Sequence, residues 1–166
     1  MNKKPEKAVF EFFKKHDIPF KNFEHNPVFT ANEKIELDEP VPGAHNKTLF
    51  LKNKKDQYWL VSILEHQRLD IKKLQELVES GKLSFASPEL LLEKLGITPG
   101  SVTPFALMNR SSQGVSVILD EEMMKHKILN FHPMHNDMTT GISREDFLRF
   151  IKLCGHTPMV IDLPKM

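Results

Sequence analysis

Two short polar clusters, each set against an apolar run, hold the side chains with the most chemical potential in this chain. The first is Asn46-Lys47-Thr48, which leads straight into Leu49-Phe50-Leu51. A lysine placed where a loop enters a strand can bury its aliphatic stem and carry its ammonium into a cleft, where it would hold an anion or a polarised oxygen. The second is Asn130-Phe131-His132-Pro133-Met134-His135-Asn136, which closes another apolar run. Its imidazoles could orient a substrate, move a proton or ligate a metal. If the fold brings the clusters together, they share one pocket. An ordinary exposed lysine beside a strand is the alternative reading of Lys47.

Other chemistry is thinner. His126, His132 and His135 are near enough in sequence to raise a metal reading, although histidine at strand ends is more often packed or exposed than ligating. Cys154, the only cysteine, falls near the end of a helical pattern and reads as inert. Met108, Met123, Met124, Met134 and Met138 read as gap-fillers. Gly-x-Ser-x-Gly elbows, Walker loops, dinucleotide fingerprints and His-Glu-x-x-His pairs do not occur, so the commonest labelled enzyme classes drop out.

Regular elements must position these clusters. Ala8, Val9, Phe12 and Phe13 recur at helical spacing over residues 5–16. Pro19 starts a short extended piece over residues 19–25. Thr30 and Glu33 have capping-box spacing for a short helix through Leu37. Residues 45–52 and 57–64 read as a hairpin joined by a polar tip. Asp70 opens a helix with Ile71, Leu74, Leu77 and Val78 on its apolar face and Gly81 in the stop position. After a short strand over 83–86, Ser87 and Pro88 form a helix start answered by Gly96. Residues 97–109 begin as a loop broken by Pro99, Gly100 and Pro104, either a stiff pocket wall or a plain connection. Strands over 115–119 and 128–131 flank a helical turn over 121–126. An extended piece over 139–142 leads to a helix capped by Ser143 and Asp146, and a strand over 158–163 closes the chain. Hairpins mixed with helical crossovers imply an α+β fold with a mixed, strongly curved sheet and flanking helices.

The totals set outer bounds. A chain of 166 residues fits one domain, 1–166, and 40% hydrophobic with 27% charged residues is an ordinary globular composition. A net charge of +1 argues against binding nucleic acid through bulk charge, but Lys52, Lys54, Lys55, Lys72 and Lys73 could form a local basic patch beside Lys47. One cysteine permits no intramolecular disulfide, and no segment reads as a signal peptide or membrane span, so a cytoplasmic location is expected.

The runs GAHNKTLFLKNKKDQYWLVSI, RLDIKKL, LSFASPELL, PGSVTPFAL and ILNFHPMHNDMTTGIS resemble, in collinear order over nearly the whole chain, the prolyl-tRNA editing family called YbaK/ProX, relatives of the insertion domain of bacterial prolyl-tRNA synthetases. The resemblance implies a free-standing deacylase that hydrolyses mischarged proline tRNA in trans without a cofactor or metal. Its partners would be the acceptor end of tRNA(Pro) and prolyl-tRNA synthetase. Lys47 matches the family's functional lysine, Gly100 and Pro104 its Gly-x-x-x-Pro loop, and His132 the histidine of its Phe-His-Pro motif. Asn46, Thr48, Ser101, Pro104 and Asn136 are the implied substrate contacts. Phe-His-Pro followed by Asn136 to Thr139 resembles the alanine-clearing members, ProXp-ala or PrdX. Thr48, where those often carry Asn, resembles the cysteine-clearing branch. A non-catalytic module binding aminoacyl-tRNA or the synthetase stays open beside both.

Overall fold

β2 (Ala44–Lys52) and β3 (Tyr58–Leu64) form the hairpin that the apolar alternation predicts, in continuous antiparallel register from Asn46↔Leu64 to Lys52↔Tyr58. The computed structural model describes residues 5–24, 41–134 and 137–166. Asn53 closes the hairpin tip: its Oδ1 accepts from the main-chain N–H groups of Lys55 and Gln57, both at 3.0 Å, in place of backbone partners.

The described strands form one eight-stranded mixed sheet in the order β1-β7-β6-β2-β3-β5-β8, with β4 (Ser84–Phe85) on β2. β1 (Lys21–Glu24), β7 (Met138–Ser143) and β6 (Ile128–Phe131) are antiparallel neighbours, and β5 (Ser116–Asp120) and β8 (Met159–Ile161) extend β3 in parallel. The parallel pairing of β2 with β6 covers only Ala44↔Leu129 and His45↔Asn130.

Side-chain alternation along β2 and β3 divides the interior in two. Ala44, Phe50, Leu60 and Leu64 face the larger core with Leu129 and Phe131, covered by α1 (Pro5–Lys15), α3 (Pro88–Leu95) and α4 (Arg144–Leu153). Leu51, Trp59, Val61 and Ile63 face a smaller core closed by Leu74 of α2 (Ile71–Leu77) and by Leu163. Aromatic edges dominate the larger one. Phe13 meets Phe105 at 5.2 Å, Phe105 meets Phe131 at 5.6 Å and Phe131 stacks on Phe147 at 4.8 Å, each pair adding about 0.5–1.5 kcal/mol beyond burial.

Helix starts follow the sequence closely. The Ser87 hydroxyl accepts from Leu90 N, the Asp70 carboxylate from Lys73 N, and the Ser143 hydroxyl from Asp146 N. Three expectations need correction. α2 ends at Leu77 with Val78 as its cap, so Leu77 is 55% exposed and stands off the apolar face, and Gly81 lies beyond the stop. The turn expected over 121–126 is a 3-10 turn, Met123–Lys125. A second 3-10 turn, Pro104–Met108, forms where the sequence reads only as apolar, started by Thr103 accepting from Phe105 N. The expected helix from Thr30 to Leu37 lies outside the described residues.

Candidate functional site

Lys47 stands on β2 one residue beyond Asn46 and two beyond the last pair with β6. Glu65 N donates to His45 O at 3.0 Å, so odd-numbered residues of β2 direct their main-chain groups to β3 and even-numbered ones direct theirs to the opposite edge. Ala86 N donating to Phe50 O at 3.0 Å confirms the phase. On that edge β6 stops at His45 and β4 begins at Leu51. Among the described strands nothing pairs with Asn46 to Leu49 there, which opens a notch about 13 Å long at the usual rise per residue. The main-chain groups of Asn46 and Thr48 face it.

Across the notch is the end of β6. The register His45↔Asn130, carried two residues further, would set Lys47 opposite His132. β6 ends at Phe131, so the pairing stops before it reaches these two residues. His132 is held from the start of β7: Nδ1 lies 2.7 Å from Met138 O, and since a carbonyl only accepts, Nδ1–H donates there. Between them, Met134 takes a left-handed φ of 66° with its side chain in the larger core. A non-glycine residue adopts that conformation only where its surroundings impose it.

Amides join β2 to β6. Asn46 Nδ2 donates to Ala44 O at 3.2 Å and to Asn130 O at 3.3 Å, and Asn130 Nδ2 donates to Pro42 O at 2.8 Å and Ala44 O at 3.2 Å. Thr48 points the other way. Its hydroxyl is buried on the core face and lies 2.9 Å from Ser62 Oγ, so it is the main chain of Thr48, not its side chain, that faces the notch.

Charge at Lys47 is tuned from the turn after β3. Burial, the nearby Arg68 guanidinium and, in opposition, the Glu65 carboxylate together hold the ammonium below the ordinary lysine range. That turn is held by the C-terminal residues: Asp70 N donates to Pro164 O at 2.8 Å and Met166 N to Arg68 O at 3.0 Å. Arg68 and Glu65 escaped the sequence reading, though Arg68 opens the run RLDIKKL.

The Gly100 loop approaches through the larger core. Phe105 on the Pro104–Met108 turn touches Phe131, the residue before His132. Gly100 has φ 88°, a conformation open to glycine at no steric cost, and Ser101 is buried with its N–H donating to Thr98 O at 3.2 Å. The structure thus sets Asn46 and Lys47 just past the β2–β6 pairing and His132 just past the end of β6, while the turn that Pro104 opens touches Phe131 through Phe105. Asn136 and His135 lie outside the described residues. Lys54 and Lys55 occupy the hairpin tip, about 20 Å along β2 from Lys47, so these two members of the expected patch stand apart from it. Lys52 is paired with Asp56 at 3.6 Å. Among the described residues no three His, Cys, Asp or Glu side chains gather as a metal site, and no helix is long and apolar enough to cross a membrane.

Comparison with known proteins falls on the same ground. The family described as aminoacyl-tRNA editing domain matches residues 25–150. A Bos taurus protein named prolyl-tRNA synthetase associated domain-containing protein 1 is 40% identical over 147 residues, covering 86% of this chain and 85% of that protein. The prolyl-tRNA editing protein ProX of Acetoanaerobium sticklandii is 33% identical over 164 residues, covering 98% of this chain and all of the relative (100%). A crystal structure described as a candidate trans-editing enzyme for prolyl-tRNA synthetase shares the fold with a TM-score of 0.72 at 18% identity, each chain covered over 100% of its length.

Proposed function

Because this chain belongs to the aminoacyl-tRNA editing domain family, we propose that it is a deacylase that acts in trans on mischarged proline tRNA, with the alanyl ester as substrate. The observation that carries the reading is the stretch of β2 around Lys47 that no described strand pairs on the β6 side, with His132 following directly on the end of β6. An aminoacyl ester is already reactive. A site needs only to hold it, place a water and donate hydrogen bonds to the oxyanion as charge develops.

Each residue then has a defined task. Lys47 holds the phosphate and 2′-hydroxyl region of the terminal adenosine through its ammonium. Main-chain amides near Gly100 and Ser101 serve the ester carbonyl. Water oxygen bonds to the carbonyl carbon, the bond from that carbon to the ribose oxygen breaks, and the ribose oxygen leaves with the proton that the water gives up. The substrate's own 2′-hydroxyl assists that proton transfer. His132, held by Met138 O, orients the amino acid and lines its pocket. Asn46 and Pro104 shape the walls, and Asn136 contributes from the following segment.

Editing answers a limit of the synthetase, since one methylene distinguishes substrates by only about 1–3 kcal/mol. A pocket that excludes proline by size and admits alanine resolves it. The decisive experiment is deacylation of proline tRNA charged separately with alanine, cysteine, serine and proline, by wild type and Lys47→Ala. Fast loss of alanine alone, reduced at least about 100-fold by the substitution, is the expected result. A cysteine preference would assign the chain to the cysteine-clearing reading that Thr48 suggests. No hydrolysis above buffer, with retained binding of the aminoacylated RNA, would make it a binding module.

A further inference from the structure

Asn130 opens the cluster that holds His132 without being one of the implied site residues, yet it is buried to 1% exposure in mid-strand, where β6 would ordinarily carry an apolar side chain. Burial of an amide is costly unless its groups are satisfied. Here the donor side is fully used and the acceptor side is not. Nδ2 bonds Pro42 O and Ala44 O, while Oδ1 is buried and accepts from none of the described residues. The main-chain O of Asn130 accepts from Asn46 Nδ2, and Ala44 O receives both amides. These bonds surround the two residue pairs, Ala44↔Leu129 and His45↔Asn130, that are the whole of the β2–β6 joint.

We propose that Asn130 is the positioning residue of the site: its amide locks the run-in to β2 onto β6 and so sets the separation of Lys47 and His132 across the notch. The inference rests on the deacylase reading for its consequence in turnover, but its geometry stands without it. Lys47 is three residues beyond Ala44 and His132 two beyond Asn130, so any slip or opening of the joint passes directly to both side chains. A purely apolar joint would hold the strands together without fixing where they part. Gly141 completes the device. It pairs with Asn130 across β6 and β7, and a Cβ built on it would stand 2.8 Å from Asn130 Oδ1. Glycine at that position leaves the space the amide needs to keep its orientation.

Gly141 also supplies the sharpest test. Asn130→Ala and Asn130→Asp both remove the Nδ2 donor, the second while keeping the side chain's shape, and Gly141→Ala leaves the amide intact but presses a methyl on its oxygen. Single-turnover deacylation is expected to fall up to about 100-fold for each Asn130 variant, the scale of a 1 Å misplacement, and less for Gly141→Ala. On the Asn130→Ala background Gly141→Ala should cost nothing further, because the oxygen it displaces is gone. NMR titration of the Lys47 side chain provides a readout independent of turnover: loosening the joint exposes the ammonium to water and moves its midpoint toward that of an ordinary lysine. Thermal unfolding of each variant fixes the temperature at which all are folded. Rates unchanged in folded variants, additive losses in the double variant, or an unmoved Lys47 midpoint would overturn the assignment. If wild type hydrolyses no ester, the deacylase reading fails, and the Lys47 midpoint alone decides the role of Asn130.

Discussion

Along one edge β2 keeps seven consecutive register pairs with β3, whereas along the other it makes two with β6 and two with β4, and among the described strands nothing pairs with Asn46 to Leu49 between them. The paired edge is flanked by fully buried apolar side chains on both faces, Leu60 on one and Ile63 on the other. Polar amides hold the open edge's junction with β6. One strand therefore serves as scaffold on one side and as site on the other. The contrast explains how this stretch keeps an extended conformation without a described partner on one side: seven pairs on the far side hold it.

The contrast can be broken most forcefully at the scaffold. Leu60→Ala should cost about 2–5 kcal/mol in denaturant unfolding while the folded fraction keeps its turnover. A comparable loss of rate in fully folded protein would mean that the two edges are not separable. A smaller probe sits at the boundary between them. Thr48→Val removes the hydroxyl bonded to Ser62 and should cost about 1 kcal/mol of stability with turnover intact, and a loss of turnover instead would show that the Thr48 side chain reaches substrate.

A subtler effect concerns charge. Because Arg68 helps lower the Lys47 titration and Glu65 opposes it, Arg68→Ala should move the alkaline limb of the rate profile to higher pH, and Glu65→Gln should move it lower. Limbs that stay in place in both variants would remove Lys47 as the group that titrates. The least expected effect lies at the back of the scaffold. His156 is buried between Ser112 Oγ at 3.1 Å and Val115 O at 3.2 Å, and burial holds its titration below the ordinary histidine value. The unfolded chain binds that proton more readily, so stability is complete above the ordinary value and declines as pH falls from there toward the lowered one. Unfolding midpoints compared near pH 7.5 and 5.5 should drop more for wild type than for His156→Asn.

Much of this division was legible in the residues, and the rest was hidden for definite reasons. The hairpin followed from alternation between Leu49 and Leu64, and the starts of α2, α3 and α4 from Asp70, Ser87 and Ser143, because both signals are local and short-ranged. Lys47 and His132 could be named from their settings and from family likeness. The β2–β6 joint could not, since it pairs residues more than eighty positions apart and no periodicity encodes a partner. Asn130 consequently looked like one more polar residue in a cluster. Arg68 was invisible for the same reason: its influence on Lys47 depends on how the turn after β3 is held by Pro164 and Met166. Leu77 misled in the opposite sense: it has the spacing of the apolar face but is exposed, while Ile71 and the cap residue Val78 pack against the smaller core.

Cys154 has a practical bearing. It is half-buried against the larger core, and burial pushes its thiol up to about 12, so in neutral buffer almost none of it is the thiolate that reacts with maleimides or iodoacetamide. A new cysteine placed at the exposed hairpin tip, for example Lys54→Cys, would therefore take up a fluorophore alone. That gives a direct optical ruler between the tip and a labelled tRNA acceptor end, without first removing any native residue.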